Sequence, residues 1–292
     1  MAPKTDANAS PPLPSFPPVR ACLFDMDGLL LNTEDLYTLC VNKVLESYGR
    51  PPLPWSVKAR LQGRPGPEAN KIFSEWAKLP ISTEEYTAQL SVFQRQFFGT
   101  AAPLPGVPEL LKDLDATKDA GAPSSAGGKP HTVHIALATS SHRGNYDLKT
   151  THLGDLFAVF PEARRVKGDD ERLLPGRGKP LPDIFLLALK TVNESLPASE
   201  PPITPEECLV FEDSVPGVEA GRRAGMRVIW CPHPMLKKEY AGREAEVLAG
   251  RTGEAGAIDL HQLGEVDDGW AEYLETLENF PYERYGIVIP KA

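Results

Sequence analysis

No apolar run in this chain approaches the ~18 residues that a membrane-spanning helix needs, so none is expected and no membrane partner is anticipated. Cysteine is scarce. The four present, Cys22, Cys40, Cys208 and Cys231, form no C-x-x-C pair. That spacing supports neither a zinc site nor a disulfide frame. Cys22 and Cys208 sit beside apolar strand-like runs, where buried reduced thiols are expected. Positive charge is also short: 31 Lys and Arg stand against 40 Asp and Glu, for a formal net charge of −9 in 292 residues. Nucleic-acid binding needs a clustered basic footprint, so no nucleic-acid partner is expected. The first twenty residues, MAPKTDANASPPLPSFPPVR, lack the apolar stretch of a secretory signal and the arginines of a mitochondrial presequence. With six prolines and no aliphatic periodicity they cannot offset the entropy of ordering, and residues 1–18 are read as a disordered tail. A cytoplasmic protein, monomeric and acting on a small molecule, is the expectation.

Short apolar runs are present instead. Ala21–Phe24, Val133–Ala138, Phe157–Phe160, Cys208–Phe211 and Met226–Cys231 read as buried parallel strands, separated mostly by helix-like or loop segments. That alternation predicts an α/β fold, an open parallel sheet with crossover connections. Ligands collect at the carboxyl ends of such strands, near a switch in strand order. From Glu34 to about Leu104 the pattern is helical, with Val41, Val44, Leu45 and Tyr48, then Ile72, Phe73 and Trp76, then Leu90, Phe93, Phe97 and Phe98 at helical spacing. The division that follows is a core of 19–34 and 105–234, a helical cap of 35–104 inserted after the first strand, and a C-terminal extension of 235–292. Lys118–Lys129 reads as a surface loop.

Chemistry gathers where the strands end. Asp25-Met26-Asp27-Gly28 follows the first run, and carboxylates two apart leave an extended chain on the same side. One can attack phosphorus and the other can move a proton, with a cation holding the charges together. Taken alone, D-x-D-G is also an ordinary turn. Thr139-Ser140 ends the second run and offers hydroxyls and backbone amides to a phosphate, or a plain helix cap. Lys179-Pro180 precedes a helix-like run, and Glu212-Asp213 follows a buried strand, where acids are costly unless paired or metal-bound. Hard oxygen ligands suit Mg²⁺ better than zinc. Arg64, in the Gln62–Gly66 turn, is the one strong anion binder of that cap loop and a candidate contact for the substrate. His131, His134, His142 and His152 have no metal-binding spacing, and Trp55 and Trp76 are expected in the packing of the cap.

The ordered set Asp25-x-Asp27, Thr139, Lys179 and Glu212-Asp213 resembles the haloacid dehalogenase (HAD) superfamily over roughly Val19 to Pro232. DMDGLLLNTE, ALATSS, GKPLPDIFLLAL and CLVFEDSVPGVEAGRRAGM are most similar to the branch containing pseudouridine-5′-phosphatase and sugar-phosphate phosphatases. Asn32 and Leu181 depart from the branch pattern. The resemblance implies a Rossmann-like core with an inserted helical cap, and Mg²⁺-dependent hydrolysis of a small nucleotide or sugar phosphate through an aspartyl-phosphate. By it Asp25 is the nucleophile, Asp27 the acid/base, Thr139 (with Ser140) the phosphate binder and Lys179 the charge-balancing residue. Mg²⁺ would be held by the Asp25 carboxylate, the Asp27 backbone carbonyl and Asp213, with Glu212 close by. Two rival readings use the same residues: a phosphosugar mutase, and a non-catalytic interaction protein on this fold.

Overall fold

The computed structural model describes residues 16–119, 131–254 and 264–290. Residues 1–15 of the expected tail and 120–129 of the expected loop lie outside the described residues. Six parallel strands form one sheet: β1 (Ala21–Phe24), β2 (His134–Ala138), β3 (Arg165–Val166), β4 (Cys208–Glu212), β5 (Arg227–Trp230) and β6 (Ala271–Tyr273). Their order is β3-β2-β1-β4-β5-β6, so successive strands first go to one side of β1 and then to the other. β1, β2, β4 and β5 are buried at every position, as strands covered by helices on both faces must be. The switch in direction falls between β1 and β4, where Phe24 pairs with Phe211 and their rings stack at 4.5 Å. The expected α/β class with a parallel sheet and an inserted helical cap is borne out.

Four helices follow β1: α1 (Thr33–Ser47), α2 (Trp55–Leu61), α3 (Gly66–Ala77) and α4 (Thr83–Phe97). They bury a hydrophobic cluster of their own, built on Val41, Val44, Leu45, Leu53, Val57, Phe73 and Tyr86. α4 starts with a capping box: the Glu85 N–H donates to Ser82 Oγ at 3.2 Å, and the Ser82 N–H donates to the Glu85 carboxylate at 2.9 Å. The chain returns through α5 (Val107–Ala116). Then come α6 (Arg143–Thr150), α7 (Gly154–Phe157), α8 (Asp183–Glu194), α9 (Val215–Arg223), α10 (Pro234–Glu239) and α11 (Glu244–Leu248). Among the described residues, no helix is long and apolar enough to cross a membrane.

One expected strand is wrong. Phe157 ends α7 and Phe160 lies in the turn beyond, both buried, with the Phe160 ring edge-on to Phe24 at 6.0 Å. A four-residue apolar run cannot be told from a buried helical turn by periodicity. The strand is Arg165–Val166, two residues long and beginning with an arginine, which pairs with Leu137 and Ala138. The segment after Pro234 does more than its sequence pattern suggests. It supplies β6, paired to β5, and brings Leu277, Phe280, Tyr285 and Ile287 into the cluster that covers one face of the sheet. Phe280 stacks on Tyr285 at 5.2 Å and lies 5.3 Å from Phe211. Phe280→Ala should therefore lower the unfolding free energy by about 3–5 kcal/mol, as for a buried core aromatic. Urea denaturation measures this, and a change under 1 kcal/mol would show that the segment is a detachable tail.

Candidate active site

Asp25 is the first residue past β1, and its N–H still donates to Phe211 O at 3.0 Å. The ladder thus delivers its carboxyl to the carboxyl edge of the sheet beside the end of β4. Gly28 then turns the chain at φ +82°, and a Cβ there would come within 2.1 Å of an Asp213 carboxylate oxygen. The loop ahead of α8 brings in Lys179, fully buried. Its ammonium donates to Asp25 and to Ala138 O at 3.1 Å, and pairs with Glu212 Oε1 at 2.5 Å. The other oxygen of Glu212 accepts from the backbone N–H groups of Asp213 and Ser214, each at 3.1 Å, and from the Ser214 hydroxyl at 3.0 Å. Glu212 therefore fixes both the lysine and the turn into α9. At Gly217 a Cβ would lie 1.9 Å from its carboxyl carbon.

Asp25, Glu212 and Asp213 can each place one carboxylate oxygen within 4.8 Å of the others. Three buried acids around one ammonium leave an excess of two negative charges when all are ionised. Burial, with repulsion from Glu212 and Asp27, raises the Asp25 pKa to about 7 against the pull of Lys179. Burial, with repulsion from Glu212, Asp25 and Glu34, pushes Asp213 well above the usual range. Hard donors carrying excess charge fit a divalent cation. Among the described residues this is the one His/Cys/Asp/Glu group close enough to hold a metal; the four histidines do not assemble into another.

Asp27 has a different setting. Its carboxylate accepts from Lys149 Nζ at 2.6 and 2.8 Å, from Ser141 Oγ at 2.6 Å and from Thr33 Oγ1 at 2.7 Å. Burial works to raise its pKa, but the ammonium and the hydroxyls outweigh it and hold Asp27 below the ordinary value. Lys149 is fully buried on α6. It also donates to Tyr37 Oη at 3.2 Å and stands 5.0 Å above that ring. Sequence reasoning missed it. The available signal was a lysine on the same helical face as buried Tyr146 and Thr150, since lysine is almost never fully buried unless paired.

Thr139 is fully buried, and its hydroxyl oxygen accepts the Ser141 N–H at 3.1 Å. Ser140 Oγ donates to Gly63 O at 3.1 Å, which ties the cap loop to the core. In the same loop Gln62 donates to an Asp213 carboxylate oxygen. Asp25, Asp27, Ser140 and Ser141 thus share a cavity of about 290 Å³ with Gln62, Arg64 and side chains of α1, α3 and α4. Arg64 lies on its wall with its guanidinium paired to Glu254 and, at 3.7 Å, to Glu68. Trp55 stacks on His233 at 4.6 Å, and Trp76 packs against the cap cluster.

A pocket with two carboxyls in opposed environments and a buried acidic cluster that could hold a cation, at the switch point of a parallel sheet, suits a phosphoryl-handling hydrolase. The family profile of the haloacid dehalogenase-like hydrolases matches residues 19–225, and the chain belongs to that family. A probable pseudouridine-5′-phosphatase of Saccharomyces cerevisiae is 42% identical over 92% of this chain and 98% of its own length. One of the same name from Drosophila melanogaster is 36% identical over 79% and 89%. (DL)-Glycerol-3-phosphatase 1 of Arabidopsis thaliana is 34% identical over 78% and 68%. The structure of CbbY from Rhodobacter sphaeroides in complex with phosphate superposes with a TM-score of 0.55 at 22% identity, over 74% of this chain and 88% of that one, a likeness of fold. The chain is a HAD-type phosphatase, and the resemblance read from its motifs is borne out.

Two outcomes follow from the electrostatics. Lys149→Met strands a buried carboxylate and should lower stability by about 3 kcal/mol, part of which Asp27→Asn restores in the double variant; urea denaturation of the three variants checks this. Asp25, whose folded pKa is raised, contributes stability that is complete below its unfolded value near ~4 and is lost as pH rises through about 7. The rise in Tm on adding Mg²⁺ should accordingly grow between pH 5 and pH 7.5, roughly that window. Thermal-shift titrations at both pH values test it, and Asp213→Asn should flatten the difference.

Proposed function

We propose that the protein hydrolyses pseudouridine 5′-phosphate, or a closely related pyrimidine nucleotide, to the nucleoside and inorganic phosphate through an aspartyl-phosphate on Asp25. The observation that carries this is the pair Asp25 and Asp27 lining one cavity, each tied to its own buried lysine. The substrate comes from the likeness to relatives named for that ester over nearly their whole length.

A carboxylate oxygen of Asp25 attacks phosphorus, and the bond from phosphorus to the 5′ oxygen breaks. Asp27, ionised in the free protein, takes up one proton from solvent as the substrate binds and supplies it to that leaving oxygen. The phosphate dianion opposes the pull of Lys149 and raises the proton affinity of Asp27, the direction this step needs. Asp27, now ionised, takes a proton from the water that attacks the phosphorus of the aspartyl-phosphate, which returns Asp25 as carboxylate and Asp27 as acid. The hydroxyl of Thr139, which donates to no described residue, and the turn of Ser140 and Ser141 bind the phosphoryl oxygens. Lys179 balances the charge gathered on Asp25. Mg²⁺ would be held by the Asp25 and Asp213 carboxylates and the Asp27 backbone carbonyl, and would supply neutralisation of the nucleophile and the phosphoryl group.

Phosphate release from a panel of pseudouridine 5′-phosphate, uridine 5′-phosphate, glycerol 3-phosphate and a hexose 1-phosphate tests the reading. Pseudouridine 5′-phosphate should be the best substrate. Chelation by EDTA should abolish turnover, and Ca²⁺ should replace Mg²⁺ poorly because its looser shell misplaces the nucleophile. Asp25→Asn should lower turnover by more than ~10³-fold with unfolding unchanged or improved, because the amide keeps the shape and loses the nucleophile. Normal rates in that variant would exclude the aspartyl-phosphate route.

A further inference from the structure

The rim of the cavity meets phosphate, which every phosphomonoester carries. Discrimination must come from the roof, which α3 and α4 provide. Tyr86, Leu90 and Gln94 fall at i, i+4 and i+8 on α4 and line the cavity together. Around them the walls are apolar: Val41, Leu53, Leu61 and Phe73.

The polar groups of the roof divide into two sets. Asn70 on α3 leans on the Thr87 hydroxyl of α4 at 3.5 Å, and Ser91 donates to the Thr87 carbonyl of its own helix at 2.8 Å, so both have protein partners. Gln94 is 7% exposed, and its side-chain amide makes no hydrogen bond to any described residue. The Tyr86 hydroxyl, on a side chain 5% exposed and stacked on Phe73 at 4.4 Å, is in the same position. Neither group is among the buried polar atoms that lack a partner, so both reach the water of the cavity, and a ligand entering it can bond them without breaking a contact inside the protein. The cations of the wall are taken: Lys58 pairs with Glu34 at 2.9 Å and Arg64 with Glu254. The roof therefore suits a neutral group and offers nothing to a second phosphate.

A primary amide presents a donor beside an acceptor, the complement of a ring carbonyl next to a ring N–H. A volume of about 290 Å³ sits at the lower end of metabolite pockets, roughly 300–1,000 Å³, and suits one sugar and one small ring. We infer that Gln94, with the Tyr86 hydroxyl, selects the substrate by hydrogen-bonding the carbonyl and N–H edge of a neutral pyrimidinedione ring on the leaving group. This rests on the function proposed above and names the residues that read its organic half.

The test compares steady-state kinetics of the full chain and its Gln94→Leu and Tyr86→Phe variants on pseudouridine 5′-phosphate and on p-nitrophenyl phosphate, which has no such edge. For Gln94→Leu the ratio of kcat/KM between the two substrates should fall about 10- to 30-fold, chiefly through KM. Tyr86→Phe keeps the ring packing and should lower the ratio about threefold or more. A ratio unchanged in both variants overturns the inference and leaves the proposed function standing. A wild-type protein that releases phosphate from glycerol 3-phosphate or a hexose phosphate but from neither pyrimidine nucleotide overturns the proposed function, and the inference with it. Should Gln94→Leu not fold, the Tyr86→Phe ratio decides alone.

Discussion

Asp25, Glu212 and Asp213 are buried around one ammonium, that of Lys179, and the rest of the molecule is arranged to make that possible. Isolated carboxylates are not tolerated in a protein interior, so each must be satisfied from an element whose position is fixed by something else. The parallel ladder fixes Asp25 and Glu212, because Phe24 and Phe211 are in register and the next residues on each strand emerge side by side. The turn into α9 satisfies one oxygen of Glu212, and the loop before α8 carries Lys179 in from the other side of β1. Gly28 and Gly217 are glycines because a carboxyl occupies the space a side chain would need. A net negative charge remains, which a divalent cation could offset.

The helical insertion completes a pocket that the sheet edge leaves open. Its loop donates from Gln62 to Asp213 and accepts at Gly63 from Ser140, and Arg64 pairs with Glu254 from the region beyond α11. These contacts place the insertion over the acids and narrow their access to bulk water, where charge interactions would be weaker. The contact of Arg64 with Glu254 changes what an isolated reading of that loop suggests. An arginine in a turn facing a phosphate site invites the role of anion binder. Paired to a carboxylate 190 positions away in the chain, it instead fastens cap to core in this structure.

What the sequence made legible follows the same physics. Runs buried on both faces are continuous and apolar, so β1, β2, β4 and β5 could be read directly, and the acids that end them stood out because such residues are costly there. β3 could not be read, because two residues opening with Arg165 make no pattern, while the nearby aromatic pair Phe157 and Phe160 makes one by packing from a helix and a turn. β6 was hidden for a related reason: Ala271-Glu272-Tyr273 is a half-exposed edge strand whose place depends on β5 already being formed. Lys149 was missed because its partner lies 122 residues earlier in the chain. No local spacing records a contact of that separation.

The two lysines show why the site needs both acids and why they are not equivalent. Lys179 shares its charge between Asp25 and Glu212, so Asp25 keeps a raised proton affinity until further positive charge arrives. Lys149 faces Asp27 with two bonds and brings the hydroxyls of Ser141 and Tyr37 with it, so Asp27 is ionised in the resting protein. Environments that push two carboxyls apart assign them different work. In the proposed mechanism the acid with too little counter-charge is the one a cation would activate. The acid with ample counter-charge stays fixed in place, and in the same proposal it would take up and pass on a proton once a dianion beside it weakens the hold of its lysine. The D-x-D spacing brings both to one rim, but the two lysines, from different loops and helices, tell them apart.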